Sequence, residues 1–204
     1  MNSEFLITAF IVVLAPGTGV LYTISTALTR GHRASWAAAL GCTLGILPHI
    51  IATILGLAAL LHTSAIIFQG VKWVGVLYLL YLAWLTLKEN SKPEFQHSNI
   101  SNHSYFKITI RGILLNILNP KLSLFFLAFL PQFISPNQGQ AVLQMLYMGV
   151  VFMVMTLIVF LIYGFFASSI RSKLVDHPLV MVWFNRLTAG AFTGLGVRLG
   201  LMEK

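Results

Sequence analysis

The feature that most constrains this chain is a succession of long apolar runs separated by short polar breaks. Each run has about the 20 residues that a helix needs to cross roughly 30 Å of hydrocarbon. The runs lie at about 5–28, 36–61, 66–87, 109–133, 141–166 and 181–202. Because lipid cannot satisfy open backbone groups, each run is predicted to be a helix. The sequence therefore predicts an all-α integral membrane protein with about six transmembrane helices.

The composition supports the membrane as the solvent of this chain. Hydrophobic residues make up 57% of it and charged residues 9%, with a mean hydropathy of +0.85. A chain of 204 residues cannot bury that much apolar surface in a water-soluble core. The net charge of +8 comes mainly from basic residues in the loops between the runs, where membrane topology explains them. We therefore predict lipid as a partner and no nucleic-acid binding.

The distribution of Lys and Arg predicts the orientation of the spans. Three alternate connections carry the basic residues, namely Arg30, Arg33, Lys88, Lys92, Lys107, Arg111, Arg171 and Lys173. The two opposite connections, 62–65 and 135–140, contain no Lys or Arg. Since basic loops stay in the cytoplasm, both termini are predicted to face the periplasm across a bacterial inner membrane.

The longest polar interval divides the chain into two parts. This linker, at about 88–108, separates a first half at about 1–87 from a second half at about 109–204. Each half holds three predicted spans, and because three is odd, the halves enter the membrane from opposite sides. The sequence thus permits two inverted three-helix halves in a single transporter domain, an arrangement found in secondary transporters.

Two helix-breaking motifs interrupt the first and fourth runs at corresponding positions. They are Pro16-Gly17, followed by Thr18, and Asn119-Pro120-Lys121. Proline lacks a backbone donor and clashes with the carbonyl four residues earlier, so each motif should free polar groups within the membrane. Half-helix N-termini attract anions and freed carbonyls attract cations, and an amino acid carries both charges. The two motifs are therefore predicted to bind the substrate; the alternative is that the prolines only kink the helices.

Three titratable side chains within the predicted spans are candidates for a functional role. An ammonium in lipid is costly unless it is paired, so Lys121 is predicted to bind a substrate carboxylate, with snorkelling to the interface as the alternative. Lys72 lies close to the start of the third run, where snorkelling or a supporting role is expected. His49 is interpreted either as a proton relay, since imidazole titrates near neutral pH, or as a hydrogen-bonded structural residue.

Several kinds of chemistry find no support in the sequence. The acidic residues all fall in loops or at termini; they are Glu4, Glu89, Glu94, Asp176 and Glu203. Oxygen-rich metal sites and acidic pockets for cationic substrates therefore have no obvious ligands. No GxSxG, HExxH or phosphate-binding loop motif occurs, and the single Cys42 excludes internal disulfides. We predict no metal, no cofactor and no enzymatic activity.

Glycines with GxxxG spacing are predicted to form packing surfaces between helices. The pairs are Gly41 and Gly45, Gly190 and Gly194, and Gly196 and Gly200. Such contacts occur within one subunit or between subunits, so the sequence leaves a homo-oligomer open.

A series of short motifs follows in a characteristic order along nearly the whole chain. They lie at 15–17, 29–33, 41–45, 72–84, 112–116, 119–121 and 125–133. In this order they resemble the LysE/RhtB family of bacterial amino-acid exporters. The resemblance implies a small polytopic transporter that moves amino acids or related metabolites out of the cytoplasm, with protons as the coupling ion.

The chain departs from this family pattern just after the first motif. Where many members continue with Pro and then Asp or Asn, it has Thr18 and Gly19. The loss of that side chain favours a neutral substrate such as homoserine, threonine or leucine, exported by alternating access. The alternatives are a divalent-cation exporter of the same superfamily and a structural or assembly subunit of a membrane complex.

Overall fold

The computed structural model describes most of the first, second, fourth and fifth predicted spans. The continuous segments are 3–15, 17–60, 104–134 and 140–169, with further helical positions at 70, 73–74, 76–77, 80–81, 83–84, 88, 186, 189–190, 193–194, 197 and 201. Within this part of the chain regular structure is helical throughout, without strands. The prediction of an all-α membrane protein is confirmed.

The continuous segments form seven α-helices. They are α1 (Ser3–Leu14), α2 (Thr18–Arg30), α3 (His32–Leu44), α4 (Leu47–Leu60), α5 (Tyr105–Ile117), α6 (Pro120–Leu124) and α7 (Ala141–Ser169). A π-helical turn, Phe125–Phe129, and a 3-10 turn, Leu130–Phe133, continue from α6.

Two of these segments are long and apolar enough to cross a membrane unaided. One is His32–Gly56, of 25 residues, and the other is α7, of 29 residues. Two further spans result if α1 with α2, and α5 with Pro120–Phe133, each count as one span bent by 49°. The third and sixth predicted spans lie largely outside the described residues, so six spans in two inverted halves stay a prediction.

Both predicted breaks are present in the helices. α1 ends at Leu14 and α2 begins at Thr18, with Gly17 extended between them (φ −144°, ψ −178°). α5 ends at Ile117, and α6 begins at Pro120 behind an extended Asn119 (φ −78°, ψ 106°). The prediction that the two proline motifs interrupt their spans is thus confirmed for the helix boundaries, while Pro16 itself lies outside the described residues.

The two halves meet most closely where α3 packs against α5. A Cβ added at Gly41 would overlap the carbonyl of Thr109, and one at Gly45 would lie 2.7 Å from the carbonyl oxygen of Ile113. A Cβ added at Gly112, on α5, would lie 3.0 Å from the carbonyl oxygen of Ala38. Small residues therefore let the two backbones touch. Gly41 and Gly45 pack within one subunit; the pairs in the sixth span are only partly described.

Aromatic side chains form part of the core, and α7 contributes Phe152 to it. The ring of Phe152, on α7, stacks on Phe125 at 4.7 Å between centroids and meets Phe126 edge-on at 5.2 Å. On its other side α7 exposes apolar residues such as Val150, Val154 and Ile158. A helix that is apolar on both its packed and its open face suits lipid as the outer solvent.

Candidate functional site

The C-terminal end of α1 is capped by side chains from the second half of the chain. A helix end leaves its last carbonyls without intrahelical donors, and Pro16 has no N–H to offer the carbonyl of Val12. The ammonium of Lys121 donates to the carbonyls of Val12, at 3.0 Å, and Ala15, at 2.8 Å. The hydroxyl of Tyr163 donates to the carbonyl of Leu14 at 3.0 Å.

The C-terminal end of α5 is capped in the same way by the first half. Pro120 cannot donate to the carbonyl of Asn116, and the ring Nε2 of His49 takes that place at 2.9 Å. Because a carbonyl only accepts, Nε2 is the protonated nitrogen. The Thr18 hydroxyl donates to the neighbouring carbonyl of Leu115 at 3.5 Å. Each carbonyl freed by a proline is therefore bound by a titratable side chain from the other half.

The Asn116 side chain lies between the two broken helices and is almost fully buried. Its Nδ2 donates to the carbonyl of Cys42 at 2.6 Å, and its Oδ1 accepts from Nδ2 of Asn119 at 3.3 Å. Two glycines make room for it: added Cβ atoms would lie 2.6 Å from its Oδ1 at Gly19 and 2.8 Å from its Cβ at Gly45. Asn116 thus links α2, α3 and the start of α6.

The sequence Asn119-Pro120-Lys121 builds the helix start that holds the lysine. The side chain of Asn119 caps α6 by accepting from the backbone N–H of Lys121 at 3.1 Å. Proline suits the first helical position, where an N–H would have no intrahelical partner. Lys121 therefore stands in the first turn of a capped helix, with its side chain directed across to the end of α1.

Lys121 is 8% exposed, and its ammonium is bound by carbonyls. The C-terminal end of a helix carries partial negative charge, which favours a cation there. Gly17 leaves space for the side chain, since an added Cβ would lie 3.1 Å from Nζ. This buried position differs from that of a lysine that snorkels to the interface.

A small cavity lies beside the lysine. Its polar lining comes from Lys121, Asn116, Asn119 and Thr156, and its apolar lining from Val and Phe side chains on α1, α2 and α7. Gly19 and Val20, in the first turn of α2, also border it. The volume is about 10 Å³, room for about one water molecule. An amino acid does not fit, so the site is closed in this structure.

The structure brings most of the predicted site residues together. Gly17, Asn119 and Lys121 meet at the break of the first span, and Pro120 opens α6 beside them. Thr18 is exposed, its hydroxyl donates to the carbonyl of Leu115, and it does not line the cavity. Pro16 and Lys72 lie outside the described residues.

His49 joins the same network of hydrogen bonds. It is buried, its Nε2 is bonded to the carbonyl of Asn116, and its Nδ1 faces the hydroxyl of Ser123 at 3.5 Å. Its ring stacks on Phe126 with centroids 6.2 Å apart. The hydrogen-bonded role is thus realised in this state, and a relay role stays a prediction.

Several partners in the site are not among the residues predicted from the sequence. Val12 and Asn116 could have been found, because each lies four residues before a proline and so presents the carbonyl that the proline leaves free. Thr156 and Tyr163, on α7, carry no local signal, since an apolar helix with scattered hydroxyls has many equivalent positions. Only the packing of α7 selects these two.

Helix breaks within apolar segments, here capped by side chains of the other half, are also found in secondary transporters. Comparison with known protein families identifies the family. The family model described as LysE type translocator matches residues 10–203. The chain belongs to this family of translocators.

Individual relatives are similar over almost their whole length. An uncharacterized membrane protein of Vibrio cholerae is 31% identical over 195 residues, which cover 96% of this chain and 94% of the relative. Homoserine/homoserine lactone efflux proteins are 31% identical in Salmonella typhi and 30% identical in Salmonella typhimurium, covering 96% of this chain and 93% of each relative. No solved structure matches the chain.

Proposed function

We propose that this protein exports a neutral amino acid from the bacterial cytoplasm by alternating access. The observation that carries the proposal is the buried ammonium of Lys121, which is held between two broken spans by carbonyls and has no carboxylate partner within the described part of the chain. An ammonium is costly within a membrane. Its presence there is explained if the lysine binds the carboxylate of a transported solute.

The carboxylate has a second binding group close to the lysine. The N-cap of α2 is Gly17, which has no side chain to cap the first-turn N–H groups, and Gly19 and Val20 border the cavity. We infer that the first-turn N–H groups of α2 bind an anion, as N–H groups at helix N-termini do. Because Lys121 stands beside this helix end, one carboxylate could contact both.

The rest of the lining favours a neutral side chain. It offers the amides of Asn116 and Asn119, the hydroxyl of Thr156, and apolar walls. Within the lining no carboxylate is available to pair with a basic side chain. A small amino acid with an apolar or hydroxylated side chain suits these groups.

Transport requires the closed site to open. The cavity of about 10 Å³ holds about one water, so substrate enters only when the broken helices separate. The two breaks supply the hinges, and reciprocal caps link their movement. We propose that the halves rock so that the site opens first to the cytoplasm and then to the periplasm, driven by protons.

The relatives support homoserine as the first compound to test. Two Salmonella proteins that resemble this chain are named for efflux of homoserine and homoserine lactone. Homoserine is a neutral amino acid whose hydroxyl could bond to the amides of the lining. Threonine and leucine are the comparison substrates.

We propose the inner membrane as the location, with both termini on the periplasmic side. The basic residues at the end of α2 and the start of α5 support this topology. The Arg111 guanidinium lies 5.8 Å from the ring of Tyr22, whose hydroxyl donates to the carbonyl of Ile108. These contacts bring the first basic connection and the end of the basic linker to one face.

Efflux measurements test the proposed function. Cells preloaded with dipeptides that release homoserine, threonine, leucine or lysine should export at least one of the neutral amino acids faster when they carry this protein. Lys121→Met should reduce that efflux to background without loss of membrane insertion. Lys107→Met, which neutralises an exposed lysine at the start of α5, is the matched control and should export normally.

Two results would contradict the proposal. Export of no amino acid by membrane-inserted protein would reject the substrate class, and full activity of the Lys121→Met variant would remove the lysine from the mechanism. Neither the cation-export nor the structural-subunit alternative is favoured by an observation on the described residues.

A further inference from the structure

The carbonyls of Val12 and Ala15 form a binding place for one primary ammonium group. They accept from Nζ of Lys121 at 3.0 and 2.8 Å, and both carbonyls belong to the negative end of α1. An ammonium offers three donors, so two such acceptors and a helix end suit it well. The α-ammonium of an amino acid offers the same donors and the same charge.

In the closed state this place is filled by the lysine. A transported amino acid needs a partner for its ammonium as well as for its carboxylate, and the freed carbonyls are the acceptors at the break. The cavity beside Nζ, about 10 Å³, has room for about one water and none for a second ammonium. Two like charges at such a distance would also repel each other.

We propose that the carbonyls of Val12 and Ala15 are the ammonium subsite of the transported amino acid, and that substrate and Lys121 exchange there. This inference rests on the proposed function. The substrate carboxylate draws the Lys121 ammonium towards the first turn of α2, and the substrate ammonium takes the vacated carbonyls. When the substrate leaves, the lysine returns.

The exchange explains why the site can be empty within a membrane. Buried polar groups without partners are costly, and lipid supplies none. Lys121 covers the freed carbonyls whenever no substrate is present, and the same lysine becomes the carboxylate partner when one is bound. The number of buried charges that lack a partner stays low at both stages.

A recognition rule follows from this exchange. A ligand with only a carboxylate would pull the lysine away and leave the two carbonyls unpaired. A ligand with only an ammonium would have to compete with a lysine that is tethered to the site. Only a molecule that carries both groups satisfies every partner.

Binding of three ligands to purified protein in lipid nanodiscs tests the rule, measured by calorimetric titration. The first ligand is homoserine. The second is the amino alcohol in which the carboxylate of homoserine is reduced to a primary alcohol, and the third is the hydroxy acid in which a hydroxyl replaces the ammonium. Each analogue should bind the wild type at least about tenfold more weakly than homoserine does, because each lacks one charged hydrogen bond.

The decisive variant is Lys121→Met, which nearly keeps the shape of the side chain but has no donor. It should lose affinity for homoserine and the hydroxy acid. It should bind the amino alcohol about tenfold more tightly than the wild type does, because the ligand ammonium no longer competes with the lysine for one charged hydrogen bond. If Lys121 only held carboxylates, the amino alcohol would bind both proteins equally. Lys107→Met should match the wild type with all three ligands.

Each outcome has a defined meaning. Equal binding of the amino alcohol to wild type and Lys121→Met overturns the exchange, and so does a hydroxy acid that binds the wild type as tightly as homoserine. The second comparison needs no variant and decides the question if Lys121→Met does not fold. If Lys121→Met binds the amino alcohol more tightly than the wild type does, but the wild type does not bind homoserine, the ammonium subsite is upheld and homoserine is rejected as the substrate.

Discussion

Gly19 shows how a single position acquires its meaning from a distant residue. By sequence it marks the loss of a polar side chain after the first break. In the structure the carboxamide of Asn116 fills the place, with its Oδ1 2.6 Å from where a Cβ of residue 19 would lie. Asn116 is itself fixed by its bond to the carbonyl of Cys42. A polar group is therefore present at this point, supplied by the other half of the chain.

We expect Gly19→Ala to destabilise the protein by ~1–3 kcal/mol, the usual cost of overpacking a buried site. The added methyl would meet both Asn116 and the ring of Phe160, the latter at 3.1 Å. Thermal unfolding of the purified protein measures the loss. Gly56→Ala is the matched control, because its Cβ would have its nearest neighbour at 3.9 Å, and it should be neutral.

A double variant separates the collision from other effects of the methyl group. If Gly19→Ala acts by pressing on Asn116, adding Asn116→Ala should cost less than it does alone. The two changes would then be non-additive, as expected of residues in contact. Additive losses would show that the close approach is not what makes alanine costly at position 19.

At the scale of the helices, the start of α6 is the element on which the site depends. Asn119 accepts from the backbone of Lys121 and donates to Asn116, so it fixes both the helix start and the direction of the lysine. Asn119→Ala should cost about 1 kcal/mol or somewhat more, the usual value of an N-cap, and should lower efflux further than this loss explains.

Ser104→Ala provides the comparison for this prediction. Ser104 is also an N-cap, of α5, and accepts from the backbone of Phe106 at 3.3 Å, but it is exposed and distant in sequence from the break. Its loss should reduce the unfolding temperature slightly and leave efflux unchanged. If both variants lose efflux equally, the cap of α6 has no special role in holding the lysine.

The breaks themselves could be predicted from the sequence, and their partners could not. Proline excludes a backbone donor wherever it stands, so Pro16 and Pro120 reveal the interrupted helices and, four residues earlier, the freed carbonyls. Which side chain reaches those carbonyls depends on tertiary packing. The sequence predicts that Lys121 binds a substrate carboxylate, whereas in the closed state it binds the carbonyls of Val12 and Ala15.

The same limit applies to the glycine pairs and to α7. GxxxG spacing predicts that Gly41 and Gly45 lie at a close helix contact, but the partner, α5, comes from the other half of the chain. The hydropathy of α7 predicts a span and gives no direction for its hydroxyls, since both faces are apolar. The faces are distinguished only when Phe152 is seen packed against Phe125.

For the whole molecule, reciprocal capping makes the two halves depend on each other. The end of α1 is closed by Lys121 and Tyr163, and the end of α5 by His49 and Thr18. Opening one break removes donors from carbonyls in the other half. Such coupling suits a transporter in which both halves must move together, because an isolated opening would leave buried carbonyls unpaired.

The proposed topology gives a prediction for the intact cell. In the proposed topology the start of α5 faces the cytoplasm and the start of α1 faces the outside. In a Cys42→Ala background, Ser3→Cys should react with a membrane-impermeant maleimide added to spheroplasts, whereas Lys107→Cys should react only after permeabilisation. Both positions are exposed, so burial does not account for a difference. If Lys107→Cys reacts from outside and Ser3→Cys is protected, the orientation is the opposite of the proposed one. The proposed export path would then run in the opposite direction.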